Sequence, residues 1–163
     1  MTLSSLLRNA ELLESAMDRG VFLQVALMDE REQIIRSQRE QLLEGKDSDG
    51  NDMRPYYSED PYFKSSEQAQ WYIEWKKSGI RYPISVSRNP DAPNLYINGK
   101  FHSELEVRFG STSVGVYPAT PYAAGIVDKY GMEKFGLTAE RWHEILESCK
   151  DRILKLMKQE LYE

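Results

Sequence analysis

Cysteine is nearly absent from this chain. The single one, Cys149, excludes an intramolecular disulfide and any cysteine-rich zinc site, a usage that fits a reducing compartment. Histidine is almost as scarce: only His102 and His143 occur, and neither has a second histidine at ligand spacing. Glycine clusters are missing too, because Gly110, Gly115 and Gly125 stand too far apart to cradle a phosphate, and no G-x-S-x-G elbow occurs. No cofactor is therefore expected. No apolar run approaches the roughly 20 residues of a membrane-spanning helix. The opening MTLSSLLRNAELLESAMDRG carries no basic leader ahead of an unbroken apolar core, so no secretion signal is expected either.

A basic cluster is also lacking. Residues 1–50 hold six Lys or Arg against ten Asp or Glu, 51–138 hold ten of each, and 139–163 hold five against six, giving the net charge of −5. Neutralising phosphates supplies most non-specific affinity for DNA, so tight nucleic-acid binding is not expected. What the chain does have is apolar material. At 163 residues, 40% apolar with ten tyrosines and three tryptophans, it is too rich for disorder and sized for one compact domain spanning 1–163.

Periodicity orders these residues. Leu3, Leu6, Leu7, Ala10, Leu13 and Met17 recur at helical steps before Gly20. A second helix is predicted from Val21 to Leu43, polar through its middle at DEREQ and stopped by Gly45. MRPYYSEDPYF, with two prolines and three tyrosines, suits an edge strand or an extended arm near 55–63. A helix follows, capped by Ser65 or Ser66, with Trp71 and Trp75 on one side and Gly79 ending it. The prolines and turn residues of 82–94 predict a second extended segment.

Phe101, Ser103, Leu105, Val107 and Phe109 then alternate strictly with His102, Glu104, Glu106 and Arg108, predicting a strand with His102 on its polar, exposed face. Val114 and Val116 return on a common face, so a hairpin is expected near 101–117. PYAAGIVDKYG predicts a short helix closed by Gly131. Thr138 then caps a long helix striped by Trp142, Ile145, Leu146, Cys149, Ile153, Leu156 and Met157, which makes Cys149 a core residue. Helices flanking a small antiparallel sheet give the class α+β.

Two chemical patterns stand out. Asp47, Asp49 and Asn51 match the first, third and fifth positions of a calcium loop, but Asp52 replaces the sixth-position glycine and Ser58 the twelfth-position glutamate. An ordinary turn about Gly50, with no metal, is the reading that fits. Asp60 followed by Glu74 and Lys76 resembles the aspartate and Glu-x-Lys of metal-dependent nucleases of the restriction-enzyme type. There the Glu-x-Lys lies on a strand; here the helical pattern turns Glu74 and Lys76 to different sides and predicts solvated charges.

From Asn94 to Trp142 the chain reads NLYINGKFHSELEVRF, then SVGVYPATPYAAGIVDKYG, then FGLTAERW. This resembles the head-tail joining and tail-completion proteins of tailed bacteriophages. Leu95, Asn98, Gly99 and Phe101 match the first element, Val114, Gly115 and Val116 the return strand, Tyr122 and Ala123 the pair that opens the short helix, and Gly131 its stop. QREQLLEGKDSDGNDMRPYY is similar to an element in phages of gut Bacteroidetes, including the crAss-like phages. Asn98 stands where the family has a hydroxyl residue, and the stretch from Ser65 to Pro93 is longer than the family pattern.

The resemblance implies a virion structural protein, not an enzyme. It would form a ring in the neck, joining the portal to the tail and leaving an axial passage through which DNA moves without tight binding. Its partners would be further copies of itself, portal or adaptor proteins and tail proteins; no membrane partner is implied. Assembly would take place in the bacterial host cytoplasm. The acidic turn would join the N-terminal helices to the first strand. Extended, aromatic segments suit subunit contacts, so Tyr56, Tyr57, Tyr62, Phe63 and Tyr82 are the candidate interface residues. The alternatives are the nuclease built on Asp60, Glu74 and Lys76, and a generic intracellular adaptor domain.

Overall fold

The computed structural model describes residues 3–78, 89–110 and 113–162. Its first helix, α1 (Leu3–Asp18), ends before Gly20, whose left-handed φ of 66° starts α2 (Val21–Asp29) in a new direction. The continuous helix predicted from Val21 is broken at Glu30, after which α3 runs from Arg31 to Leu43. The reason is packing: α2 lies on the C-terminal helix, whereas α3 lies against the hairpin, and one straight rod cannot serve both. The polar DEREQ sits at this corner, where Asp29 pairs with Arg152 at 2.7 Å. Gly45, with φ 70°, closes α3, and the Lys46 amide returns to the Gln41 carbonyl at 3.1 Å.

The acidic turn that follows does not lead into the sheet. Asp47 is buried, its Oδ1 accepting from the amides of Asp49 (3.0 Å) and Asn51 (2.9 Å) and its Oδ2 from Lys134 Nζ (3.2 Å). The turn thus docks on the segment before the last helix. Gln41 completes this junction: its Nε2 donates to the carbonyls of Asp47 and Gly136, and its Oε1 accepts from the Thr138 amide. Residues 55–63 form hydrogen-bonded turns rather than an edge strand, and the Tyr57 amide donates to the Asp91 carbonyl at 2.9 Å. Ser65 caps α4 (Ser66–Lys77), its hydroxyl accepting from the Gln68 amide. Gly79, the expected end of that helix, lies outside the described residues.

The strand begins later than the alternation predicts. Asn98 and Gly99 initiate a helical turn, α5 (Lys100–Ser103): Asn98 Oδ1 accepts from the Lys100 amide at 3.0 Å, and Gly99 takes φ 78°. Phe101 and His102 are consecutive and both buried, which a strand with one solvated face does not allow. The strands β1 (Leu105–Phe109) and β2 (Val114–Pro118) pair antiparallel, with Val107 opposite Val116 and Phe109 opposite Val114. Helix α6 (Ala123–Tyr130) ends at Gly131 (φ 86°), and a 3₁₀ turn (Met132–Lys134) leads to α7 (Ala139–Tyr162). The Thr138 hydroxyl accepts from the Arg141 amide, the expected cap. The architecture is α+β.

The main core gathers Ile34, Ile35 and Leu42 of α3, Leu105, Val107 and Val116 of the hairpin, and Ile145 and Cys149 of α7. A second cluster joins Tyr57 to Ala69 and Ile73 of α4, with Phe63 and Tyr72 against it. The α7 stripe is deep only in its first half: Ile153, Leu156 and Met157 are half-buried and Leu146 is exposed. No described helix is long and apolar enough to cross a membrane.

Candidate functional site

The inward face of α4 is set by Ala69, Ile73 and Lys76, at helical spacing, rather than by Trp71 and Trp75. Trp71 is exposed, and Trp75 stacks on Tyr72 at 5.6 Å. Glu74 and Lys76 diverge as the helical pattern predicts, but only Glu74 is solvated, bonding Gln70 and Lys77. Lys76 is 5% exposed, a correction to the expectation of a surface charge. Its Nζ donates to the Tyr57 hydroxyl at 2.7 Å and to Asn94 Oδ1, and lies 5.1 Å from the Tyr57 ring centre. Burial lowers its pKa to about 8.

Around this lysine the segments 57–63 and 93–101 meet α4 and α6 in a cavity of about 440 Å³. Its walls are aromatic. Tyr57 stands edge-on to Phe63 and Tyr72, with ring centres 6.2 and 5.0 Å apart. Burial first, then neighbouring charge, pushes the phenol pKa values of Tyr57 and Tyr130 well above the ordinary value. Asp60 also lines the cavity; its buried carboxylate pairs with Lys129 and accepts from the Tyr62 amide at 3.0 Å. His102, predicted at the surface, is buried behind this wall because it sits on α5. Its Nε2 lies 2.8 Å from the Asn94 carbonyl, and burial lowers its pKa. His143 is exposed, as a surface histidine should be.

Residues singled out separately in the sequence converge on this cavity. Leu95, Asn98, Phe101 and Tyr122 of the phage-like pattern line it together with Tyr57, Tyr62 and Phe63 of the proposed arm. Gly99 shapes the wall through its positive φ, and Leu95 does the same at φ 54°. Val114, Gly115 and Val116 belong to β2, Ala123 begins α6 and Gly131 ends it, so these serve the scaffold. Tyr57 is buried and Phe63 half-buried, whereas Tyr62 is 80% exposed. Tyr56 is half-buried, under Arg54 and bonded to Asp52. Tyr82 and most of the segment 82–94 lie outside the described residues.

Of the nuclease-like residues, Asp60 and Lys76 reach the same cavity and Glu74 does not. Among the described residues no three His, Cys, Asp or Glu side chains gather where they could hold a metal ion. Sequence reasoning singled out Asp60 and Lys76 but missed the burial of Lys76, its partner Asn94 and the pairing of Asp60 with Lys129. A signal existed for the first: Lys76 extends the 69, 73 spacing, so its stem shares their buried face. Comparison with protein-family models, with curated proteins and with solved structures found no match to this chain.

A second feature is the pairing of the first and last helices. Helix α1 runs along the far half of α7, with Asn9 Nδ2 donating to the Leu161 carbonyl at 3.3 Å. The side of α1 turned towards α7 is that of Asn9, Leu13 and Ala16, which are half-buried. Leu13 belongs to the apolar stripe of α1, but Leu7, Ala10 and Met17 of the same stripe stay exposed. Leu154 of α7 is open as well, at 53%.

Proposed function

We propose that this chain is a structural subunit of a tailed-phage neck, built into a ring that joins head to tail. The observation that supports an assembling subunit is the exposed apolar run of α1, Leu7, Ala10 and Met17, on a helix pair that buries little of itself. From Leu7 to Asp18 no residue of α1 is fully buried, and beyond Cys149 none of α7 is. Such a pair gains little from its own burial and gains more when a neighbour covers it. A further copy of the chain is the proposed neighbour, because a ring subunit offers two different flanks that repeat until the circle closes. The cavity end and the helical pair are two unlike surfaces of this kind. The net charge of −5 suits the axial passage, since phosphates meet no general excess of cations to hold them.

The nuclease alternative would need Glu74 beside Asp60, and Glu74 is committed to the opposite side of α4. The ring reading is tested by replacing Leu7 and Leu154, 59% and 53% exposed, with Asp in the encoding phage. Each change, at a half-exposed helical site, should cost about 1 kcal/mol or less of folding stability. The doubly substituted protein should therefore fold, yet fail to enter particles and leave filled heads without tails. Normal infectious particles containing the variant would remove the α1–α7 surface from the proposal.

A further inference from the structure

Among the described residues the buried Lys76 ammonium has no counter-charge. Its two partners, the Tyr57 hydroxyl and Asn94 Oδ1, are neutral, and its third N–H has no acceptor among the described residues. The nearby carboxylate that shares its cavity, Asp60, is already matched by Lys129. The stretch 79–88 contains no Asp or Glu that could supply one. Among the described residues that line it, two ammonium groups and one carboxylate thus leave the cavity one positive charge in excess, within a chain whose net charge is −5. A buried cation in this position is costly unless paired, and an entering anion would remove that cost.

The rest of the cavity defines the body of such an anion. Tyr57, Phe63, Tyr72, Phe101 and Tyr130 present ring faces and edges, and Leu95 and Ile126 add aliphatic surface. A volume of about 440 Å³ falls in the range of small-ligand sites and holds one ring with a short tail. We infer that this cavity binds a small monocarboxylate with an aromatic body, its carboxylate paired with Lys76 Nζ and its ring against the tyrosine and phenylalanine walls. The inference stands on the cavity alone and does not depend on the neck reading.

The test is calorimetric titration of the full chain at pH 7 with 3-phenylpropionate, alongside its uncharged amide, 3-phenylpropanamide. The two probes share their ring and length and differ in the charge offered to Lys76. One acid molecule should bind per chain, and the amide should bind about 30-fold more weakly or worse, the usual penalty when a buried charge loses its partner. Lys76→Met should abolish the preference, leaving acid and amide alike. Gly125→Leu should weaken binding of both alike, because Gly125 lines the cavity beside Tyr122, Ile126 and Lys129 on α6 and a Cβ there meets nothing within 4 Å, so a bulkier side chain narrows the site without a clash. Equal affinity of the native chain for acid and amide would overturn the inference, as would unchanged acid binding by Lys76→Met or a dissociation constant above about 1 mM for the acid.

Discussion

Replacing Lys76 with Met tests the burial argument through stability alone. Burial lowers the lysine pKa from 10.5 to about 8. At about 1.4 kcal/mol per pH unit, carrying the ammonium inside the fold costs about 3 kcal/mol at neutral pH. The unfolded chain keeps its proton up to pH 10.5 while the folded chain releases it near 8. Between those values the unfolded state binds more protons, so the native protein gains stability as pH rises through this window and has least from this group below it. Met keeps the length of the stem and removes the charge. It also forfeits the hydrogen bonds to Tyr57 and Asn94, at about 1 to 1.5 kcal/mol together, because Asn94 Oδ1 still accepts from the Tyr96 amide. Lys76→Met should therefore be more stable than the native chain by about 2 kcal/mol at pH 7, and at pH 10, where about 0.8 kcal/mol of the penalty remains, less stable by about 0.5 kcal/mol. Urea unfolding of both proteins from pH 7 to pH 10 reads the difference. Tyr57 and Tyr130, whose raised pKa values pull stability down above pH 10, occur in both proteins and largely cancel. A difference that stays flat across the range would refute the burial of a charged lysine.

Ile145→Ala, at a site 2% exposed in the main core, should cost about 2 to 5 kcal/mol in chemical denaturation. Ile153→Ala, one helical stretch further on and half-buried, should cost less than about 2 kcal/mol, and equal losses would mean that the far half of α7 is covered in the free protein. Asp47→Ala removes the acceptor of two turn amides and Lys134, and should lower stability by about 1 to 3 kcal/mol in thermal melts. Calcium titration should show no stoichiometric sub-millimolar site sensitive to Asp49→Ala, since the buried Asp47 carboxylate is already spent on these partners.

Local signals in the sequence carried the helices. Gly20, Ser65, Gly131 and Thr138 mark termini because each acts on its own backbone or the adjacent turn. The corner at Glu30 has no such marker, for neither glycine nor proline stands there and the bend follows from α2 and α3 packing on different elements. The early start predicted for β1 came from a coincidence: Phe101 falls in step with Leu105, Val107 and Phe109, yet Asn98 and Gly99 turn residues 100–103 into α5 and bury His102 beside Phe101. The candidate site was legible only in pieces. The aromatic residues near 57–63 and the pattern from Leu95 to Tyr122 were visible separately, but their convergence depends on contacts such as Lys76 with Asn94 that no local periodicity encodes.

The neck reading meets its most direct test in particles. Electron microscopy and three-dimensional reconstruction of purified virions of the encoding phage, with an antibody against this chain to mark it, should place a closed ring of it at the junction of head and tail. In that ring the exposed Leu7 and Met17 of α1 and Leu154 of α7 should each be covered by a neighbouring copy. Absence of the chain from purified virions, or its presence only away from the head-tail junction, would contradict the proposal.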